Sequence, residues 1–243
     1  MTTPFHPFSA EHGITLLVGA AITALLIGCG RRGGGLRRAA TAILVTANLA
    51  TQPLTLAAWW SVGEPLSFDN SLPFHLCDIA AITAALALIT RRRLFGTLTY
   101  FWGLAGTLQG LLTPAIDIGF PSPPFLVFFL QHFAIVATAL YLPIVTGWRP
   151  RAPYWRAISE IFAWSIAYLV FAFAMNALTG ANYGFASRPP STPSLLDYLG
   201  PWPWYLLSMQ GIALVLFSLL YLPFLRSRKS DAPCPPSENP TPS

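Results

Sequence analysis

Charge is scarce in this chain. Aspartate, glutamate, lysine and arginine make up 9% of its 243 residues, against 54% hydrophobic, whereas a soluble domain carries roughly a quarter charged residues. So few charges cannot cover the surface of a water-soluble fold of this size. That excludes a free globular enzyme and leaves the bilayer as the solvent, in line with a mean hydropathy of +0.55. Cysteine is also sparse: Cys29, Cys77 and Cys234 form neither a CxxC pair nor a disulfide framework. The four histidines are scattered without ligand spacing, so no metal is expected. HExxH, GxSxG, P-loop and Rossmann fingerprints are all missing, as is the inverted repeat of many secondary transporters. The formal net charge is +5, yet no basic patch is interleaved with aromatics, so nucleic acid is not an expected partner.

Long apolar runs are what the chain has in abundance. A spanning helix needs about 20 mostly apolar residues, and these occur at 10–29, 39–60, 72–90, 94–112, 125–146, 158–178 and 202–225. Gly- and Pro-rich stretches separate them, and Pro53, Pro143 and Pro223 predict kinks within their helices. Arg31, Arg32, Arg37 and Arg38 fall in the first connection, and Arg91, Arg92 and Arg93 in the third. Arg149, Arg151 and Arg156 fall in the fifth; Arg226, Arg228 and Lys229 begin the tail. Only Arg188 lies in an even-numbered connection. Positive residues collect in cytoplasmic loops, so the expected fold is an all-α bundle of seven transmembrane helices. Its N-terminus is outside and its C-terminus cytoplasmic, in the cell membrane. The helical domain occupies 1–229, and the polar, Pro-rich residues 230–243, with Cys234, form a disordered tail.

The polar residues within the spans are unevenly placed. His75, Cys77 and Asp78 lie at the outer start of the third span, and Gln131 and His132 lie two turns into the fifth. At a rise of ~1.5 Å per residue, Cys77 and His132 sit roughly 6–11 Å below the outer ends. Asn48, Gln52, Gln109, Asn176 and Asn182 come from other helices at similar depth, whereas the inner halves hold little besides Glu160. The economical arrangement is a polar chamber open to the outer side, since buried polar groups in spans face the bundle interior. Asn48, Gln52 and Gln109 also fit plain interhelical glue, and Trp202, Trp204 and Tyr205 fit an interfacial belt. Asp78 needs a partner, which His75, three residues earlier, or His132 can supply.

A cysteine becomes a nucleophile when a histidine takes its proton. Cys77 near a helix N-terminus and His132 at matching depth permit such a site. The same groups also suit a proton-linked transporter or a small-ligand receptor.

The segments LPFHLCDIAAITAALAL, YFWGLAGTLQGLLTP, FFLQHFAIV, NALTGANYGF and PSLLDYLGPWPWY resemble the YwaF-like bacterial integral membrane proteins, which are related to the transmembrane protein 164 family. The resemblance implies a cysteine acyltransferase or lipid-ester hydrolase that acts on phospholipid or lysophospholipid and needs no cofactor. It implies Cys77 as nucleophile and His132 as general base. His75, Asp78, Gln109, Asn176 and Asn182 are the candidate orienting or chamber residues.

Overall fold

The computed structural model describes residues 4–190 and 195–226. The expected tail, including Cys234, lies outside them. The described residues form helices and no strand; one isolated bridge joins Pro4 to Ile118.

Helix α1 (Ala10–Arg32) is capped by Ser9, whose hydroxyl accepts the His12 N–H. A single residue, Gly33 at φ +77°, turns the chain into α2 (Gly34–Ser61). That positive φ favours glycine, which is why the hairpin is built from GGG. A four-residue helix, α3 (Phe68–Ser71), then stops at Leu72. Leu72 precedes Pro73, and the residue before proline is pushed to extended backbone. The main part of the third expected span, α4 (Leu76–Thr90), therefore starts at 76 rather than 72.

Helix α5 (Arg93–Phe101) passes through a π-helical turn, Trp102–Thr107, into α6 (Leu108–Leu112). Helix α7 (Pro123–Tyr141) also runs into a π turn, Leu142–Thr146, where Pro143 removes a ladder donor. Helices α8 (Tyr154–Thr179) and α9 (Trp204–Arg226) complete the fold.

Among the described residues, five stretches are long and apolar enough to cross a membrane: Ala10–Arg32, Phe68–Thr90, Pro123–Thr146, Tyr154–Thr179 and Trp204–Leu225. The other two expected spans are helical but fall short of that description. Helix α2 has the length, with 28 residues, but is diluted by Arg37, Arg38, Asn48, Gln52 and several threonines. The α5–α6 run is divided by its π turn.

Helix α7 is the hub, packing on α1, α2, α4, α5 and α6. Its most apolar stretch is 67% buried inside the protein, against 11% for α1. Alanine makes this possible: Ala80, Ala81, Ala84, Ala85 and Ala87 of α4 are all buried, and small residues let helix backbones approach. Phe101, Trp102, Ile135, Ile161, Phe217 and Tyr221 fill the space between α5, α7, α8 and α9. Leu17, Leu25, Val170, Leu178 and Val215 stay exposed. So much exposed apolar surface suits hydrocarbon better than water.

The two ends of the bundle differ. At one end, Tyr141 donates to Arg37 O, Trp148 to Arg93 O and Tyr221 to Arg151 O. The basic connections therefore gather together. At the other end, His12 meets Leu111 O, Gln52 donates to Ser71 O and Asp69 accepts from Asn182 N.

Candidate functional site

The polar residues singled out in α4 and α7 lie at this second end. Asp78 stands at the third position of α4 and its Oδ2 accepts the His75 N–H at 3.1 Å, closing the helix N-terminus. Its Oδ1 accepts from Gln131 Nε2 of α7 at 2.7 Å. The side chain of His75 does not pair with Asp78. It turns outward, with Nε2 at 3.1 Å from Asp69 O and 3.7 Å from Asp69 Oδ1, and its ring meets Tyr183 edge-on. Asp69 Oδ1 in turn accepts from Asn182 N at 2.8 Å. A polar chain thus runs from Gln131 through Asp78, His75 and Asp69 to the connection after α8.

His132 follows Gln131 in α7 and is 6% exposed. Its Nδ1 donates to Phe128 O at 2.7 Å. A carbonyl only accepts, so Nδ1 carries the hydrogen, and in the neutral ring the lone pair is on Nε2. Phe128 also stacks on the imidazole at 4.1 Å. The Nε2 edge rests against Gly110, where a Cβ would stand 2.6 Å from Nε2.

Cys77 is a free, half-buried thiol packed against the cluster containing Ala80, Ala81, Phe101 and Trp102. Among the described residues no hydrogen bond joins it to His132. Their sequence neighbours make the contact instead: Asp78 and Gln131 tie α4 to α7, and Cys77 and His132 flank that tie. A cleft of about 70 Å³ between α2 and α7, lined by Thr55, Ala58, Trp59, Val127 and Phe128, has Gln131 in its wall.

The remaining candidates do different work. Asn176 donates to Tyr183 O and Ser187 Oγ and accepts from Tyr183 N. Asn182 donates to Arg188 O and accepts from Ser187 N and Arg188 N. Both amides are spent on folding the connection after α8. Gln109 is half-buried, and its backbone oxygen receives the Thr113 N–H. Asn48 reaches Leu44 O, Ala134 O and Thr138 Oγ1, tying α2 to α7. Trp202 and Trp204 are exposed, as a belt would be, but Tyr205 is fully buried and donates to Phe185 O.

Among the described residues no group of three His, Cys, Asp or Glu is placed to hold a metal. Asp69 was not legible as a site residue, because it lies before the third apolar run, in a four-residue helix that no periodic pattern marks. Gln131 was legible in depth but not in partner.

A helical chain with several helices long and apolar enough to cross a membrane, and with a cluster of polar side chains at one end, is a multi-pass membrane protein. It belongs to the TMEM164 family, whose profile matches residues 7–221. An "Uncharacterized protein" of Treponema pallidum (strain Nichols) is 32% identical over 165 residues, which take in 67% of this chain and 66% of that relative. The chain thus spans about two thirds of that relative's length. No solved structure matches.

Proposed function

We propose that this protein is a lipid-modifying enzyme of the cell membrane, an acyltransferase or lipid-ester hydrolase. In this reading it crosses the bilayer seven times, with its N-terminus outside and its C-terminus in the cytoplasm. The α2 helix and the α5–α6 run supply the two crossings beyond the five most apolar stretches. Gathering of the arginines at one end supports the orientation. The polar end then faces outward.

One observation carries the chemical reading. The Nδ1–H of His132 is committed to Phe128 O, leaving Nε2 as the proton acceptor on α7, one residue from the tie that joins α7 to the residue after Cys77. In this mechanism Cys77 Sγ attacks the carbonyl carbon of an acyl ester and its proton passes to His132 Nε2. The tetrahedral intermediate collapses, and the leaving alcohol takes the proton back. The acyl group, held as a thioester, then moves to a second alcohol or to water. Phospholipid or lysophospholipid is the substrate, and acyl transfer of this kind calls for no cofactor. Asp78 and His75 act as positioning residues at the N-terminus of α4. Gln109, Asn176 and Asn182 were the other chamber candidates; the hydrogen bonds of both asparagines favour a supporting role.

The test is labelling and lipid turnover with the purified protein and an activity-based lipid electrophile. Wild type is expected to label at Cys77 and to turn over lipid. Equal labelling and turnover by Cys77→Ala and His132→Ala would remove the mechanism.

A second reading draws on Asp78. Its carboxyl is held by two neutral donors, the His75 backbone and the Gln131 amide, an arrangement that suits a proton site in a transporter or receptor. It predicts flux or ligand binding that survives Cys77→Ser and fails in Asp78→Asn.

A further inference from the structure

Thr107 has a buried hydroxyl with no partner. The residue is 4% exposed, and its Oγ1 is sealed from solvent without a hydrogen bond. Other threonines of the same run behave differently. Thr97, Thr99 and Thr113 donate to the carbonyl four residues back, at 3.0, 2.7 and 3.2 Å. This is the ordinary way a hydroxyl is satisfied within a helix. Thr107 ends the π-helical turn, where Leu108 N–H reaches back to Gly103 O, the carbonyl four before Thr107. The widened turn breaks the local pattern and leaves the hydroxyl free. Single π turns inside α-helices recur at functional sites.

The neighbours of Thr107 show which way it faces. Gly103, four residues earlier, abuts Ile135 and Ala139 of α7, and Gly110, three residues later, abuts the Nε2 edge of His132. Thr107 shares that face, so it lies on the α7 side of the run, between the level of Ile135 and that of His132. Gly106, beside it, meets Leu76, the residue before Cys77. An unsatisfied donor is thereby held where the helices carrying Cys77 and His132 converge.

We propose that the Thr107 hydroxyl is the hydrogen-bond donor that receives the substrate's acyl carbonyl oxygen as it becomes an oxyanion. The inference rests on the Cys77–His132 reading and deepens it. When Cys77 Sγ bonds to the carbonyl carbon, the C=O π pair moves onto oxygen, and Thr107 O–H donates to that oxygen. When the C–O bond to the alcohol breaks, the pair returns and the hydroxyl is released. A donor left unpaired in the resting protein and paired at the intermediate gives differential stabilisation.

The experiment compares wild type, Thr107→Val and Thr107→Ser as full-length protein in phosphatidylethanolamine–phosphatidylglycerol vesicles carrying a fluorescent acyl chain. Three quantities are read: lipid turnover, alkylation of Cys77 by iodoacetamide, and thermal stability. Alkylation needs the thiol but forms no oxyanion. Thr107→Val is expected to lower kcat about 100-fold, with KM within about twofold. It should leave alkylation unchanged and raise the melting temperature, because an unpaired hydroxyl is replaced by a methyl group. Thr107→Ser should retain most of the turnover. Wild-type turnover with an equally active Thr107→Val overturns this inference alone. So does a parallel fall in alkylation, which would mean that Thr107 only shapes access to the thiol. Wild type that neither turns over lipid nor becomes acylated at Cys77 removes the acyl-transfer reading, and this inference with it.

Discussion

Gln131 of α7 donates its amide to Asp78 of α4 at 2.7 Å, joining two side chains that are 53 residues apart in sequence. The tie fixes the rotation of both helices about their axes, and the residues beside it, Cys77 and His132, are held at the same end of the bundle.

Breaking the tie should therefore cost both stability and geometry. Gln131→Leu removes the donor from a half-buried carboxyl oxygen, which costs about 1 kcal/mol. A thermal melt in detergent should show the loss, and Gln131→Glu, which sets a second carboxyl against the first, should show no smaller one. A melt unchanged from wild type in Gln131→Leu would mean that the tie does not hold α4 on α7.

Gly110 gives a test at His132. A Cβ there would stand 2.6 Å from the imidazole Cδ2 and Nε2, so Gly110→Ala must displace the ring or the helix. Misplacing a catalytic group by about 1 Å can cost on the order of 100-fold in rate. Turnover should fall by about that factor, while alkylation of Cys77 by iodoacetamide persists. Full activity in this variant would mean that His132 is not the base.

Asn48 offers the contrasting case. It is 1% exposed and its amide serves Leu44 O, Ala134 O and Thr138 Oγ1. As glue between α2 and α7, it should cost about 1 kcal/mol on replacement by alanine, with lipid turnover per folded molecule unchanged. A large loss of kcat without a change in melting would move Asn48 into the site.

The number of crossings is open to direct labelling. In a background with Cys29, Cys77 and Cys234 replaced, single cysteines at exposed positions are probed with a membrane-impermeant maleimide. Glu64→Cys and Asp117→Cys should label in intact cells, and Arg38→Cys and Arg92→Cys only after permeabilisation. If Arg38→Cys and Glu64→Cys label from the same side, α2 does not cross; the pair Arg92→Cys and Asp117→Cys tests the α5–α6 run in the same way.

Much of this protein was written in composition and spacing. The shortage of charge required an apolar solvent, and the arginine clusters at 31–38, 91–93 and 149–156 marked alternate connections that the fold brings to one end. Counting along helices of fixed rise set Asp78 and Gln131 at one level, and there the two side chains meet. These properties are local, each set by a residue and its near neighbours in sequence.

Partners were decided only by the tertiary structure. Sequence spacing offered His75 as the partner of Asp78, but the carboxyl takes the His75 backbone and the Gln131 amide, while the His75 ring turns to Asp69. Asn176 and Asn182 looked like chamber residues, yet their amides close the connection after α8. The break at Leu72 and the π turn at Trp102–Thr107 shift the helices that follow, and no hydropathy pattern records such a shift. Which face of a helix meets which neighbour depends on side chains from several helices packing at once. Sequence therefore set which residues share a depth, and packing set which of them meet.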